Sequence, residues 1–183
     1  LLKLAIFVVV SAVFATISRA SLLAPRSHGF YRFFAWECIL GLFLLNVEVW
    51  FRDPFSATQI VSWLLLIVSA FLVIHGVRLL RRIGQPDDTR EEAPLLAFEK
   101  TTTLVVEGAY RYIRHPLYSS LLFLAWGIFF KDMTSWAGIG LAAAATFFLT
   151  LTAKAEESED IRFFGPAYQD YMRRTRMFIP FLF

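Results

Sequence analysis

Two short clusters carry most of the chemistry in this chain. Between Tyr110 and Tyr118 the sequence reads YRYIRHPLY, which sets Arg111, Arg114 and His115 just ahead of Pro116 and an apolar run. About forty positions later, Glu156 and Glu157 open the acidic stretch EESED. Guanidinium and imidazole groups suit carboxylates, and carboxylates suit hydroxyls and ammonium groups. Each cluster also has an ordinary explanation. Arg114 and His115 flank a membrane-like segment, where positive charge fixes orientation. Pro116 fits the first turn of a helix, where no N–H is needed. The acidic pair is less easily explained this way, because carboxylates near a helix C-terminus oppose the macrodipole. Their position favours a ligand or a basic partner over a bare solvated helix end.

Other polar residues weigh less. Glu37 and Glu48 sit in an apolar run, and intramembrane acids are functional hypotheses by default. Both fall close to an expected span end, Glu37 on the cytoplasmic side, so an interfacial position accounts for either. His75 reads as a packed or interfacial histidine. Cys38 is the single cysteine, and His28, His75 and His115 lack metal-ligand spacing, so neither a disulfide framework nor a metal site is expected. No glycine-rich nucleotide signature is present.

The elements that must position these groups belong to a membrane. Of the 183 residues, 57% are hydrophobic and only 18% charged, against roughly 25% charged in an ordinary soluble domain. The mean hydropathy is +0.57. Five apolar runs stand out: Leu4 to Ile17, Phe33 to Phe51, Ala57 to Leu80, Pro116 to Phe130 and Thr134 to Ala153. The second, third and fifth reach the length of about 20 residues that a spanning helix needs. The fourth is short, so Lys131 and Asp132 beside it are expected to snorkel to the interface or thin the bilayer. The expected fold is an all-α polytopic membrane protein with about five transmembrane helices. Three spans occupy 1–80, a cytoplasmic connection 81–115, a helical hairpin 116–153 and an interfacial tail 154–183.

Lysine and arginine counts orient the five spans. One face collects fifteen of them, three after the first run, seven in the 81–115 connection and its approach, and five in the tail. The other face holds Lys3, Arg52 and Lys131. That asymmetry puts the N-terminus outside and the RHP segment and tail in the cytoplasm. The opening LLKLAIFVVVSAVFATISRA also resembles a cleaved signal peptide. Cleavage would leave four spans and turn most basic residues outward, so the charge count argues against it. The sequence pI near 9.2 is met by anionic lipid headgroups rather than nucleic acid. An irregular surface loop is expected over GQPDDTREEAPLLAFEK, and connections of such length are usually functional or disordered. In the tail, Gly165-Pro166 breaks the helix. The piece from Pro166 to Arg174 is expected to lie on the membrane with its tyrosines down and arginines out, and FIPFLF to tuck back against the bundle.

The last two runs are joined by little more than KDMT, so they form a hairpin whose open ends meet at the cytoplasmic face. That brings Arg114-His115-Pro116 beside Ala155-Glu156-Glu157. With both segments in view, a family resemblance becomes specific. GAYRYIRHPLYSS resembles the RHPxY block of isoprenylcysteine carboxyl methyltransferases and related phospholipid methyltransferases, and EESEDIRFFGPAYQDYMRRTRMFIP resembles the block that follows it. The resemblance covers about residues 104 to 180. Two positions depart: Ser120 stands where the family usually has Gly, and Ile161 where it has Leu. Ser120 is expected to narrow the pocket slightly.

The resemblance implies S-adenosylmethionine as methyl donor, bound in a cytosolic pocket between the RHPxY segment and the acidic pair. By position, Arg114, His115, Pro116 and Tyr118 would border the donor, Glu156 and Glu157 would hold its ribose hydroxyls or ammonium group, and Gly108 and Tyr110 would shape the approach. Arg174 would join Arg114 near the acceptor as the catalytic pair. The favoured acceptor is the carboxylate of a prenylated cysteine or a similar lipid, entering laterally from the bilayer. A carboxylate is already ionised near neutral pH, whereas an amine-bearing phospholipid needs a base to remove a proton first. A sterol-reductase-like oxidoreductase using a nicotinamide cofactor is a rival of another class, which the intact Glu156-Glu157 pair disfavours. A non-catalytic membrane module is a third, and it predicts no cofactor binding.

Overall fold

Serine caps open the long helices. In the computed structural model, which describes residues 1–85 and 100–182, Ser27 Oγ accepts from Phe30 N, Ser56 Oγ from Gln59 N and Ser135 Oγ from Gly138 N. Such caps satisfy one orphan backbone donor and contribute about 1 kcal/mol each. They start α3 (His28–Asn46), α4 (Ala57–Ile83) and α6 (Trp136–Phe164). With the 3₁₀ turn Val47–Val49 that prolongs α3, these are, among the described residues, the three helices long and apolar enough to cross a bilayer. Shorter apolar helices α1 (Leu2–Ile17) and α5 (Pro116–Phe129) accompany them, and a single turn, α2 (Arg19–Leu22), follows α1. The architecture is all-helical, that of a polytopic membrane protein. The loop expected over 84–100 lies almost wholly outside the described residues.

Two helix pairs form the bundle, α3 against α6 and α4 against α5, and the α5–α6 hairpin joins them. One core cluster unites Ile39 and Leu42 of α3, Ala125, Ile128 and Phe129 of α5, and Ala142 and Ala145 of α6. A second, nearer the RHP end, unites Ala35, Tyr118, Leu122, Leu149, Ala153 and Phe178. Small residues let α4 and α5 approach closely, as in membrane helix pairs generally. Ser62 Oγ donates to the Gly127 carbonyl at 2.7 Å and Ser69 Oγ to the Ser120 carbonyl at 2.7 Å. A Cβ on Gly76 would meet Leu117 Cδ2 at 2.9 Å. Helix α1 is peripheral, with no fully buried residue. It is fastened to α3 by Ser11 Oγ donating to Glu37 at 2.5 Å and by Phe14 against Trp36, and to the following turn by a Lys3–Glu48 ion pair at 3.0 Å.

Three sequence expectations change here. Because α3 begins at His28, five residues ahead of the apolar run, Glu37 lies near the middle of the helix rather than near its end, and Ser11 is its partner. Lys131 does not snorkel: it is 5% exposed, its Nζ lies 3.7 Å from the Trp63 ring centroid and 2.9 Å from Gln59 Oε1. Cation–π attraction and one strong hydrogen bond outweigh the pull of the interface there. The third concerns the tail: the break falls where Gly165-Pro166 predicts, with α6 ending at Phe164, Gly165 at φ +60° and α7 running Pro166–Arg174, but α7 sits differently. The tyrosines of α7 are not down in the membrane. Tyr168 and Tyr171 are buried within the protein, and Tyr171 Oη donates to the Tyr110 carbonyl at 2.7 Å.

Candidate functional site

The hairpin places the two charged clusters in direct contact. Arg114 Nε donates to Glu157 Oε1 at 2.7 Å, and its Nη1 donates to the carbonyls of Thr175 at 2.6 Å and Met172 at 3.3 Å. His115 is held between both acids, Nδ1 at 3.1 Å from Glu156 Oε2 and Nε2 at 3.4 Å from Glu157 Oε1. Burial alone would lower the His115 pKa. Hydrogen bonds to Glu156 and Glu157 and their negative charge overcome it and push the value up to about 9. His115 is therefore an imidazolium at neutral pH, donating from both ring nitrogens. Burial would raise the Glu157 carboxyl, beyond the apolar part of α6, but His115 and Arg114 hold it below the usual range. The end of the chain locks this arrangement. Arg114 N donates to Arg176 O at 2.7 Å and His115 N to Met177 O at 3.2 Å, beside a lone parallel bridge between Ile113 and Arg176. Ser119 Oγ closes the knot at 2.9 Å from both the His115 and Phe178 carbonyls.

A cavity opens beside the network. Its polar wall is Arg114, His115, Glu156 and Asp160, and its aromatic wall is Tyr110, Tyr118, Phe164, Tyr168 and Tyr171, with Thr101, Leu104 and Val105 opposite. Glu156 and Asp160 are one turn apart on α6 and share a face. Burial raises the pKa of both Tyr168 and Tyr171, so they remain hydrogen-bond donors. The cavity encloses about 70 Å³, well below the roughly 300 Å³ of a small ligand site. A nucleoside-sized ligand therefore needs the cavity to widen.

The expected site residues divide into three groups. Tyr110, Arg114, His115, Tyr118 and Glu156 line the cavity. Glu157, Pro116 and Gly108 stand behind it: Glu157 faces Arg114 and His115, Pro116 is fully buried at the first turn of α5, and Gly108 packs on α4. Arg174 is not brought to Arg114. It lies exposed in a separate concavity with Tyr112, Arg173, Arg176 and Phe181, its Nε donating to the Asp170 carbonyl at 3.3 Å. Ser120 does not line the cavity either: its hydroxyl donates back to the Leu117 carbonyl of its own helix at 2.6 Å, and its carbonyl accepts from Ser69 of α4.

No family model matches the chain. It is 28% identical over 145 residues to a methanethiol S-methyltransferase of Crocosphaera subtropica, covering 75% of this chain and 53% of that protein. It is 27% identical over 128 residues to a methanethiol S-methyltransferase of Pseudomonas deceptionensis, 66% of this chain and 43% of that protein. Methanethiol S-methyltransferase 1 of Bradyrhizobium diazoefficiens is 27% identical over 173 residues, 85% of this chain and 55% of that protein. The chain spans about half the length of the curated relatives it matches.

Sequence reasoning missed Asp160, Phe164, Tyr168 and Tyr171 as cavity residues. A signal existed in the helical spacing of 156, 160 and 164, which needs α6 to continue past the bilayer. It also missed a second buried pair, His28 Nδ1 with Glu159 Oε2 at 2.6 Å, which pins the start of α3 to α6. An apolar groove of about 470 Å³ lies elsewhere in the bundle, between α1, α3 and α5, with Trp36, Leu121, Leu124 and Ile128 among its walls.

Proposed function

We propose that this chain carries the donor site of an S-adenosylmethionine-dependent membrane methyltransferase with its N-terminus outside and its site in the cytoplasm. The observation that carries the reading is the cavity wall: two carboxylates one helical turn apart face five aromatic rings. That donor set fits the ligand's chemistry. Carboxylates suit ribose hydroxyls and an ammonium group, and aromatic faces suit a sulfonium cation and an adenine ring. When bound, the donor supplies an electrophilic methyl group for in-line displacement. The chain's own residues position: Glu156 and Asp160 hold the polar groups, the tyrosines exclude water, and the Arg114–Glu157–His115 network keeps Glu156 aimed into the cavity. Positioning of this kind accounts for much of the barrier lowering in such transfers.

The acceptor reading shifts. A prenylcysteine carboxylate would want a guanidinium to orient it, yet Arg114 spends Nε and Nη1 on protein partners and Arg174 lies on another surface. The relatives are named for a thiol, so we place a small thiol first; it would react as its thiolate, its proton released to water, while its sulfur takes the methyl group and the donor leaves as the neutral thioether. The prenylcysteine carboxylate, first on the sequence alone, becomes second, favoured by the apolar groove along α5, whose Leu121 and Leu124 continue the helical face of Leu117 at the cavity. Calorimetric titration of the purified chain with S-adenosylmethionine and with NADPH tests the donor. Binding of S-adenosylmethionine is expected, and Glu156→Gln with Asp160→Asn should weaken it at least about tenfold, roughly 1.4 kcal/mol. Binding of NADPH alone would sink the assignment. Labelled-methyl turnover with methanethiol and with a farnesylated cysteine then separates the two acceptors.

A further inference from the structure

The concavity that holds Arg174 has a chemistry of its own. Backbone pairing of the 112–115 and 175–177 segments sets Tyr112 beside Arg176, with Arg176 N donating to Tyr112 O at 3.0 Å. Arg173 and Arg174 come from the last turn of α7, and Phe181 closes the far side with its ring centroid 6.4 Å from that of Tyr112. The space between them is about 220 Å³. A fourth arginine, Arg111, lies 6.0 Å from the Tyr112 ring. The acid paired here is Asp170, 3.2 Å from Arg173 Nη1, and both are exposed. Among the described residues, three guanidiniums therefore converge on one concavity against one paired carboxylate. Guanidinium forks match phosphate oxygens.

We propose that this concavity binds the phosphate headgroup of an anionic lipid from the adjoining leaflet. Phe181 and Leu182, 85% and 81% exposed, form an apolar edge directly beside the arginines. Cationic groups bordered by exposed aromatic and aliphatic side chains bind a lipid interface, the charges to headgroups and the apolar edge to the acyl boundary. A soluble phosphate would leave that edge unexplained. The location agrees: Tyr112 precedes the first residue of α5 by four positions, which limits their separation to about 14 Å, and α5 is an apolar hairpin helix. The lipid would also brace the cavity, since α7 carries Arg173 and Arg174 outward and Tyr168 and Tyr171 inward. The inference stands on charge and placement and does not depend on the proposed reaction.

Native mass spectrometry of the full chain, purified in detergent and supplied with phosphatidylglycerol or phosphatidylcholine, provides the test. The wild type should retain phosphatidylglycerol in preference. Arg173→Gln with Arg176→Gln should reduce the retained anionic lipid at least about tenfold, as expected for two interfacial arginines. Arg81→Gln with Arg82→Gln, basic residues at the end of α4, should leave it unchanged. Phe181→Ser leaves α7 untouched and should also release the lipid, which keeps the test open if the arginine variant misfolds. The proposal is overturned if the arginine variant and Phe181→Ser retain lipid like the wild type, or if the α4 variant loses as much. It is also overturned if excess inorganic phosphate displaces the lipid fully, which would mark a site for the free anion. Titration with S-adenosylmethionine on the same preparations keeps failure here distinct from failure of the donor assignment.

Discussion

His115 concentrates the electrostatics of the site in one side chain. Its folded pKa, about 9, lies above the unfolded value near 6.5. The contribution of its contacts with Glu156 and Glu157 is therefore complete below about pH 6.5 and disappears as pH rises through about 9. Thermal unfolding of the purified chain between about pH 7 and about pH 10 should show the wild type losing stability relative to His115→Gln, by roughly 3 kcal/mol at most. Parallel profiles would remove the imidazolium from the account. The contact itself was legible in the sequence, because a hairpin with a short link leaves its two open ends no choice but to meet. Which member of the acidic pair faces the cavity was not. That depends on the rotational phase of α6, which turns Glu156 and Asp160 to the cavity and Glu157 to Arg114. The place of Arg174 was hidden for a similar reason, since Gly165 sets the direction of α7 through a backbone conformation that the sequence only permits.

At the scale of elements, the cavity depends on how the segment before α5 sits on α4. Gly108 has φ +57°, and a Cβ there would lie 2.5 Å from His75 Nε2 and 2.8 Å from Leu79 Cδ1. Both are side-chain ends that must shift to admit the methyl group, and the His75 ring does so against its stack on Phe71 at 5.4 Å. Gly108→Ala should cost about 2–3 kcal/mol, part from the left-handed backbone and part from the clash. It should also weaken donor binding by displacing Tyr110, two residues on. Adding His75→Ala should recover the clash portion and leave the backbone portion; strictly additive costs in chemical unfolding would exclude the contact. His75 thus acts as a seat for the loop, in keeping with its reading as a packed histidine. Span positions were legible because apolar length is a one-dimensional signal. Span ends were not, because caps and buried polar pairs set them: Ser27 and the His28–Glu159 pair extend α3, and the Trp63–Gln59 pocket draws Lys131 inward.

For the whole molecule, the decisive asymmetry is between its two ends. One end gathers the Arg114–His115–Glu156–Glu157 network, the His28–Glu159 pair and the basic surface of α7. The other is fastened by the Lys3–Glu48 pair and by Lys131 under Trp63. A charge excess of this kind supports the proposed orientation, with the basic end in the cytoplasm, where a soluble donor would be available and thiols stay reduced. Cysteine labelling tests that orientation directly. Gly84, in the connection after α4, is a poor reporter, since a side chain there would strike Thr101 and the Leu80 carbonyl. Gln169 on α7 and Met133 in the α5–α6 turn are exposed and better placed. In a Cys38→Ser background, Met133→Cys should react with a membrane-impermeant maleimide on intact cells. Gln169→Cys should react only after permeabilisation. The reverse pattern would turn the cavity outward, separate it from a cytosolic donor, and overturn both the orientation and the reaction built on it.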